Sequence, residues 1–554
     1  MKMKAYKMFF IAAAAAALAS CNKIESIAPE SGTMLASQVQ KTNEILPARA
    51  AASFAGMFTS IGEPDKLYST PDDWQFIMIN FCNDLEGADA LIPDSGYNWF
   101  SVCGEYSSRN ANYRNPYIRY RAPYNMIASV NTFCAGFAED VSDPSSLNMI
   151  AQAKVLRAYS YLSLAPDYQF NYQIAKDEPC VPLCSDEVED FTQNPRATVG
   201  RIYEEILKDL DEAIEALETP EIKAVGRTTK MYIDANVAHG LRARAYLDMG
   251  EWQKAYDDAV AAAEGYTPAT IAELSDPDNA TRINFKDLSE HNWIWGYDLT
   301  KDLVQSGSNT WYANSSAWLR SFSLISYSAA CQCYTCCNKL LWDLIPSTDV
   351  RKGWWVDENL ESPLLEGWAW PGFNDVANAD DGQDKLPFLA YTNVKFGCNT
   401  IATELNDEDS PLMRVEEMIL IQAECKERLS AGAGKAILED FVQTYRDPSY
   451  SADAGGRNIL DEIWFQRRVE LWGEGFYVRD MRRLNKPLVR FHGLTDKGDS
   501  QPDAFRFNMT KDDPWLLMRF PQGETNTNFA IVDNTGSEIP SPGQNPELRD
   551  GVTD

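Results

Sequence analysis

A helical repeat of apolar residues in the segment VGRIYEEILKDLDEAIEALE constrains the fold more than any other feature of this chain. The apolar positions are Val199, Ile202, Tyr203, Ile206, Leu210, Ile214 and Leu217. This spacing places them on one face of an α-helix, while acidic residues and lysine occupy the other face. Thr198 precedes the segment as a capping residue and Pro220 follows it. The pattern therefore predicts an amphipathic helix between these two residues.

A second segment, NVAHGLRARAYLDMGEWQKAYDDAVAAAEGY, predicts two helices joined at Gly250. Its alanines, among them Ala245 and Ala255, allow one helix to pack closely on the other. Two helices that are joined by a short turn and packed through small residues resemble a tetratricopeptide unit. Segments that begin at Ala153 and at Leu412 show the same pattern. We therefore predict a mostly α-helical fold built from scattered tetratricopeptide-like helix pairs.

Two stretches of different character interrupt these helices, at about residues 62–112 and 268–400. Both are rich in glycine, proline, asparagine, aspartate and aromatic residues, which is typical of irregular structure. Nine of the fifteen tryptophans lie between Trp293 and Trp370. We therefore expect aromatic-rich loop insertions in a helical scaffold, and a linker-like tail after about residue 535.

The first twenty residues predict an export signal. Three lysines within the first seven residues precede an apolar run that is too short to span a bilayer. The residues Leu18-Ala19-Ser20-Cys21 resemble the lipobox of bacterial lipoproteins, in which cleavage occurs before a lipid-modified cysteine. We expect residues 1–20 to be removed and Cys21 to carry acyl chains such as palmitate that anchor the protein to a membrane. An ordinary secretory signal with a chance cysteine is the alternative.

The chain carries a formal net charge of −31, and this acidity disfavours one class of partner. A negative surface repels phosphate backbones, so we do not expect nucleic acid as a ligand. No stretch after the signal approaches the roughly 18 uninterrupted apolar residues of a membrane-spanning helix. We expect a soluble domain that is held on the membrane by lipid alone.

Two segments of the sequence contain clusters of possible metal ligands, although neither has the spacing of a well-defined site. The cluster CQCYTCC contains four thiols, but adjacent and alternate cysteines suit zinc less well than paired CxxC units do. The runs NADDGQD and TELNDEDS offer oxygen ligands for calcium without the spacing of a helix-loop-helix calcium loop. We favour packed or locally bridged cysteines and solvated loops, and we expect no metal and no cofactor.

The sequence also lacks a recognisable reaction centre. The three histidines, His239, His291 and His492, are too far apart for a local pair of metal ligands. The motifs GxSxG, GxGxxG and GxxxxGK are absent. Because the chain has 81 acidic residues, close carboxylate pairs are unavoidable and do not indicate a hydrolase. We therefore expect a protein that is not an enzyme.

The segment ILDEIWFQRRVELWGEGFYVRDMRRL resembles the C-terminal signature of the SusD/RagB family of surface nutrient-binding lipoproteins. The matching residues are Arg467, Glu470, Leu471, Glu474, Gly475, Asp480, Met481 and Arg483. Phe476-Tyr477 departs from the pattern, because the family usually has a basic pair at this point. Segments that begin at Tyr113, Ala153 and Val199 match other family helices in order, so the resemblance covers the chain from Cys21 to about Leu484.

This resemblance implies a single domain over residues 21–554, with tetratricopeptide-like helix pairs on one side and an irregular, ligand-capturing face. It also implies an outer-membrane location facing the cell exterior, where the protein delivers its ligand to a TonB-dependent transporter of the SusC type. Arginine and glutamate alternate on a signature helix that carries Trp464 and Trp472. We expect these charges to form internal ion pairs and not a reaction centre.

Exposed aromatic residues in loops rich in asparagine and aspartate suit a sugar ligand. The C–H faces of sugar rings lie on indole or phenol planes, while asparagine, aspartate and arginine bond the hydroxyl groups. Most single tryptophans belong to a core, so we expect only one or two of these rings to be exposed. The candidate ligand-binding residues are Trp74, Tyr97, Asn98, Trp99, Arg109, Asn110, Trp311, Tyr312 and Trp318.

We therefore expect a lipid-anchored outer-membrane protein that captures an oligosaccharide. Peptide capture by the same fold is the nearest alternative, since some relatives bind peptides. A surface glycoside hydrolase is an alternative of another class, and it would require two carboxylates about 5 to 10 Å apart across a cleft. A helical adaptor that binds only protein through tetratricopeptide-like grooves is a further alternative.

Overall fold

The structure is a computed structural model that describes most of the chain from residue 47 onward. The described residues are 40, 43, 47–63, 72–93, 99–107, 109–185, 188–276, 283–300, 320, 333–365, 389–397, 407–493 and 498–554. Within these ranges, no helix is both long enough and apolar enough to cross a membrane.

Helices dominate the described residues, and the fold is mostly α-helical as predicted. The α-helices, numbered in chain order, are α1 (Pro47–Thr59), α2 (Gln75–Leu85), α3 (Ser101–Glu105), α4 (Arg114–Cys134), α5 (Pro144–Tyr168), α6 (Tyr172–Ala175), α7 (Val199–Glu218), α8 (Pro220–Lys223), α9 (Ala235–Met249), α10 (Trp252–Ala263), α11 (Ile271–Ser275), α12 (Lys339–Leu344), α13 (Val415–Leu429), α14 (Ala433–Tyr445), α15 (Ile459–Glu470), α16 (Tyr477–Arg483) and α17 (Gln522–Thr527).

The long helices pack on one another in pairs: α9 with α10 and α13 with α14, as predicted, and α5 with α7, a pairing that the sequence did not specify. Thr198 caps α7 by accepting a hydrogen bond from the backbone N–H of Arg201 at 3.2 Å. Gly250 ends α9 at a φ of 80°, a left-handed conformation that glycine adopts without strain. Ala255 and Ala259 of α10 are fully buried, so small residues do line the helix contacts. The predicted pairs α9–α10 and α13–α14 are confirmed.

Short antiparallel strand pairs join distant parts of the chain. The strands are β1 (Ala90–Leu91), β2 (Pro179–Pro182), β3 (Arg196–Thr198), β4 (Trp293–Tyr297), β5 (Cys336–Cys337) and β6 (Ser410–Arg414). β1 pairs with β5, β2 with β3, and β4 with β6. Trp293 and Trp295 of β4 are fully buried, so aromatic residues from the irregular region help to fill the core.

Two segments are more ordered than we expected from the sequence. Residues 62–112 include α2 and α3, and α2 is buried on nearly all sides, which removes the one-sided apolar pattern of a surface helix. The expectation of a linker-like tail after residue 535 is wrong. Asp550 accepts a hydrogen bond from Arg468 Nη1 at 2.7 Å, and Val552 is buried. The tail therefore packs against the core.

The charges of the signature form a buried ion-pair network. The Glu470 carboxylate accepts hydrogen bonds from Arg446 at 2.8 and 2.9 Å. Arg414 and Arg351 donate to the same carboxylate at 3.1 and 3.2 Å. Burial alone would raise the pKa of Glu470, but the three guanidinium groups outweigh burial and hold that pKa well below its usual range. The prediction of internal ion pairs is confirmed.

Candidate ligand-binding site

Two of the predicted ligand residues lie in the core, which corrects their assignment. Trp74 is 2% exposed and Arg109 is 1% exposed. Arg109 forms an ion pair with the buried carboxylate of Glu86 and donates to the backbone carbonyl of Leu516 at 2.8 Å. A buried carboxylate requires such a partner, so the charge of Arg109 serves the fold. Neither side chain offers a surface to a ligand.

Trp99 lies at the boundary between core and surface. Its ring is half-buried and packs against the hydrophobic core. The guanidinium carbon of Arg114, the first residue of α4, lies 5.2 Å from the ring centroid, and Arg114 also pairs with Asp72. A cation over an indole face is a favourable contact. Part of the Trp99 ring is therefore already covered by the protein.

A groove of about 630 Å³ lies beside the start of α4, and we call it the amide groove. The loop before α4 lines one part of it, and residues from the segment 515–537 line the rest. The backbone N–H of Gln522 donates to the carbonyl of Ala111 at 2.7 Å, which joins the two parts. Trp515 also lines the groove, and its indole N–H donates to the carbonyl of Tyr106 at 2.8 Å.

Four exposed side-chain amides line this groove, those of Asn110, Asn112, Gln522 and Asn526. Within the described part of the protein, none of the four makes a hydrogen bond through its side chain. Each amide carries an N–H donor group and a carbonyl acceptor. A ligand with neighbouring hydroxyl groups can pair with both ends of such an amide, so the groove is suited to a polyhydroxylated molecule.

A second groove, also of about 630 Å³, lies between α1 and α4. Its hydroxyl groups at Ser60, Ser129 and Thr132 each donate to the carbonyl four residues earlier in the chain. Asn43 donates to the carbonyl of Gly136 at 2.9 Å. Because the protein already satisfies these donors, the second groove offers a ligand less than the amide groove does.

Among the predicted ligand residues, Asn110 is the one that lines the amide groove in the described chain. Five other predicted ligand residues lie outside the described residues, namely Tyr97, Asn98, Trp311, Tyr312 and Trp318, and so does the predicted lipidation site, Cys21. Gln522 and Asn526 were not among the predicted residues, because the prediction started from aromatic side chains. The available signal was the polar run QGETNTN, in which amide and hydroxyl residues follow one another.

The described cysteines of the CQCYTCC cluster behave as core residues. Cys333, Cys336 and Cys337 are buried. Burial raises the pKa of Cys336 to about 12, so its thiol is protonated at neutral pH. Over the described ranges, no group of three or more histidine, cysteine, aspartate or glutamate residues is arranged to hold a metal ion. Cys331 and the run NADDGQD lie outside these ranges.

Two family models match the chain in separate segments. A SusD-like model described as "Starch-binding associating with outer membrane" matches residues 67–247. A SusD/RagB model described as "SusD family" matches residues 367–536. The chain belongs to the SusD/RagB family, as its C-terminal signature indicates. No curated protein matches the chain.

Solved structures share the fold over most of the chain. A SusD-like carbohydrate-binding protein from Bacteroides vulgatus is 22% identical, with a TM-score of 0.67, and the match covers 88% of this chain and 97% of that one. A SusD superfamily protein from Bacteroides thetaiotaomicron is 19% identical, with a TM-score of 0.66 and coverage of 88% and 99%. Surface glycan-binding protein A from Bacteroides thetaiotaomicron, in complex with laminarihexaose, is 15% identical, with a TM-score of 0.60 and coverage of 88% and 99%. At these identities the likeness shows a common fold.

Proposed function

We propose that this protein is a lipid-anchored outer-membrane protein that captures an oligosaccharide in the amide groove and delivers it to a TonB-dependent transporter of the SusC type. It carries out no reaction on the ligand. The family models support this proposal, since one of them is described as starch-binding and associated with the outer membrane. The relative that binds laminarihexaose supports an oligosaccharide as the ligand class.

The observation that carries the proposal is the set of unpaired amides in the groove. Amides that already bond the protein would lose those bonds when a ligand binds, and this exchange would cancel much of the gain. Within the described part of the chain, Asn110, Asn112, Gln522 and Asn526 have no such bonds to lose. Trp99, whose half-buried ring contacts Arg114 at the start of α4, is retained in the proposal as a further ligand contact.

Substitution of both Asn112 and Asn526 by alanine is expected to lower the affinity for the captured oligosaccharide about tenfold or more. Each lost hydrogen bond to a neutral partner is worth about 0.5 to 1.5 kcal/mol, and each amide can make two. The melting temperature should stay within about 1 °C, because neither side chain bonds to the described protein. The protein is prepared from Asn22 onward, and a glycan array identifies its ligand. Calorimetric titration then measures the affinity of the unmodified protein and of the double variant for that ligand.

Asn125→Ala is the matched control, because Asn125 is an exposed asparagine of the second groove. We expect this variant to bind the oligosaccharide as the unmodified chain does. If Asn125→Ala weakens binding and the double variant does not, the site is in the second groove. If the chain binds no glycan of the array but binds peptides, peptide capture by this fold replaces the proposal.

A further inference from the structure

The exposed aromatic residues of the described chain all lie on segments that border the amide groove or are bonded to such a segment. Three aromatic residues are exposed in the described ranges, with exposed fractions of 71% for Phe529, 56% for Phe191 and 45% for Tyr113. Tyr113 directly follows Asn112 of the amide groove, and Phe529 lies between Asn526 and Asp533, which both line it. Tyr113 and Phe529 are therefore carried by the two segments that line the groove.

Phe191 is tied to the same place by the backbone. It lies in a short 3₁₀ turn, Phe191–Gln193, that is capped by the side chain of Asp190. The backbone N–H of Phe529 donates to the carbonyl of Thr192 at 2.8 Å. This bond holds the two phenylalanine-bearing segments side by side.

The segment that carries Phe529 is fixed before any ligand arrives. The buried side chain of Asn528 donates to the carbonyl of Asn194 at 2.7 Å. Arg196 donates to the carbonyl of Val532 at 3.0 Å. Asp533 accepts from the backbone N–H of Phe520 at 2.7 Å. Because these bonds hold the loop at both ends, little backbone freedom remains to be lost when a ligand binds.

We infer that Phe529, with Phe191 and Tyr113, forms an aromatic surface at the edge of the amide groove on which pyranose rings of the oligosaccharide lie. This inference rests on the proposed function and assigns it further contact residues. The face of an aromatic ring is electron-rich and attracts the polarised C–H groups of a sugar face. Pyranoses that present several axial C–H groups on one face fit this surface, while their equatorial hydroxyl groups reach the neighbouring amides.

An exposed apolar patch can also be a contact surface for another protein. Here the patch borders side-chain amides that have no partner in the described protein. A sugar ring has an apolar C–H face that suits the aromatic residues and hydroxyl groups at its edge that suit the amides. A patch for protein would use Phe529 and Val532 alike, because the exposed fraction of Val532 is 76%. A sugar-binding surface depends on the aromatic ring of Phe529 and not on Val532. Substitution of each residue therefore distinguishes a sugar-binding surface from a protein contact surface.

The test compares Phe529→Ala, Phe529→Tyr and Val532→Ala with the unmodified chain on a glycan array that includes maltohexaose and laminarihexaose. We expect Phe529→Ala to lower the affinity for the bound glycan about tenfold. Phe529→Tyr keeps an aromatic face and should bind within about twofold of the unmodified chain. Val532→Ala should leave glycan affinity unchanged. Both positions are exposed on a loop held by backbone and Asn528 bonds, so the melting temperature should not move in any of the three variants.

Glycan binding that is equal in the unmodified chain and in Phe529→Ala would overturn this inference and leave the proposed function intact. A loss of affinity in Val532→Ala as large as that in Phe529→Ala would also overturn it, because the effect would then be apolar and not aromatic. A chain that binds no glycan on the array would contradict the proposed function itself, and the inference with it.

Discussion

Substitution of Glu470 by glutamine is expected to lower the free energy of unfolding by about 3 to 5 kcal/mol. The Glu470 carboxylate is fully buried and accepts hydrogen bonds from Arg446, Arg414 and Arg351. Glutamine keeps the size of the side chain but removes its negative charge, which leaves three buried guanidinium groups with one counter-charge fewer. Equilibrium unfolding in urea, followed by far-ultraviolet circular dichroism, measures the loss.

The pH dependence gives this prediction a second readout. Because the pKa of Glu470 in the folded protein lies well below its usual value, the residue stabilises the fold at neutral pH. This contribution is lost as the pH falls from the unfolded-state pKa towards the lower folded-state pKa. The stability difference between the two proteins should therefore shrink in acid.

Glu215→Gln is the matched control for this substitution. Glu215 is an exposed residue of α7, and the described structure gives its carboxylate no ion pair. We expect its substitution to change the free energy of unfolding by less than about 0.5 kcal/mol. A loss below about 1 kcal/mol for Glu470→Gln would contradict the view that this network is central to stability.

The sequence predicts those parts of the fold that depend on local patterns. The period of apolar residues, the capping residue Thr198 and the turn at Gly250 all act within a few residues, and α7, α9 and α10 follow them. The internal ion pairs were also predictable, because a helix that alternates arginine and glutamate next to tryptophan cannot leave those charges unpaired in a core. Arg351, Arg414 and Arg446, which complete the network, were not predictable from the signature itself.

The candidate site depends on contacts that no local pattern reports. Asn110 and Gln522 lie near opposite ends of the chain, and only the tertiary fold brings them to one groove. The polar loop around Arg109 predicts an exposed side chain. The side chain is instead buried, because it pairs with Glu86 and donates to the Leu516 carbonyl. Partners that are distant in sequence determine whether a charged or aromatic residue in an irregular segment is buried or exposed.

Substitution of Cys21 by serine is expected to move most of the protein from the outer-membrane fraction to the soluble fraction. The prediction follows from the lipobox-like residues Leu18-Ala19-Ser20-Cys21. Each buried CH₂ group of an acyl chain contributes roughly 0.8 kcal/mol, and two or more chains are needed for stable anchoring. Serine has no thiol to accept the diacylglycerol group. Fractionation of cells followed by immunoblotting measures the change.

Cys184→Ser is the matched control, because Cys184 is a half-buried free thiol remote from the signal in sequence. We expect this variant to stay in the membrane fraction, which would show that the effect depends on the lipobox position and not on the loss of a thiol. A Cys21→Ser protein that still sediments with the outer membrane after a high-salt wash would contradict the lipid anchor. In that case a protein partner in the membrane would have to hold the chain, since salt removes attachments that depend on exposed charges.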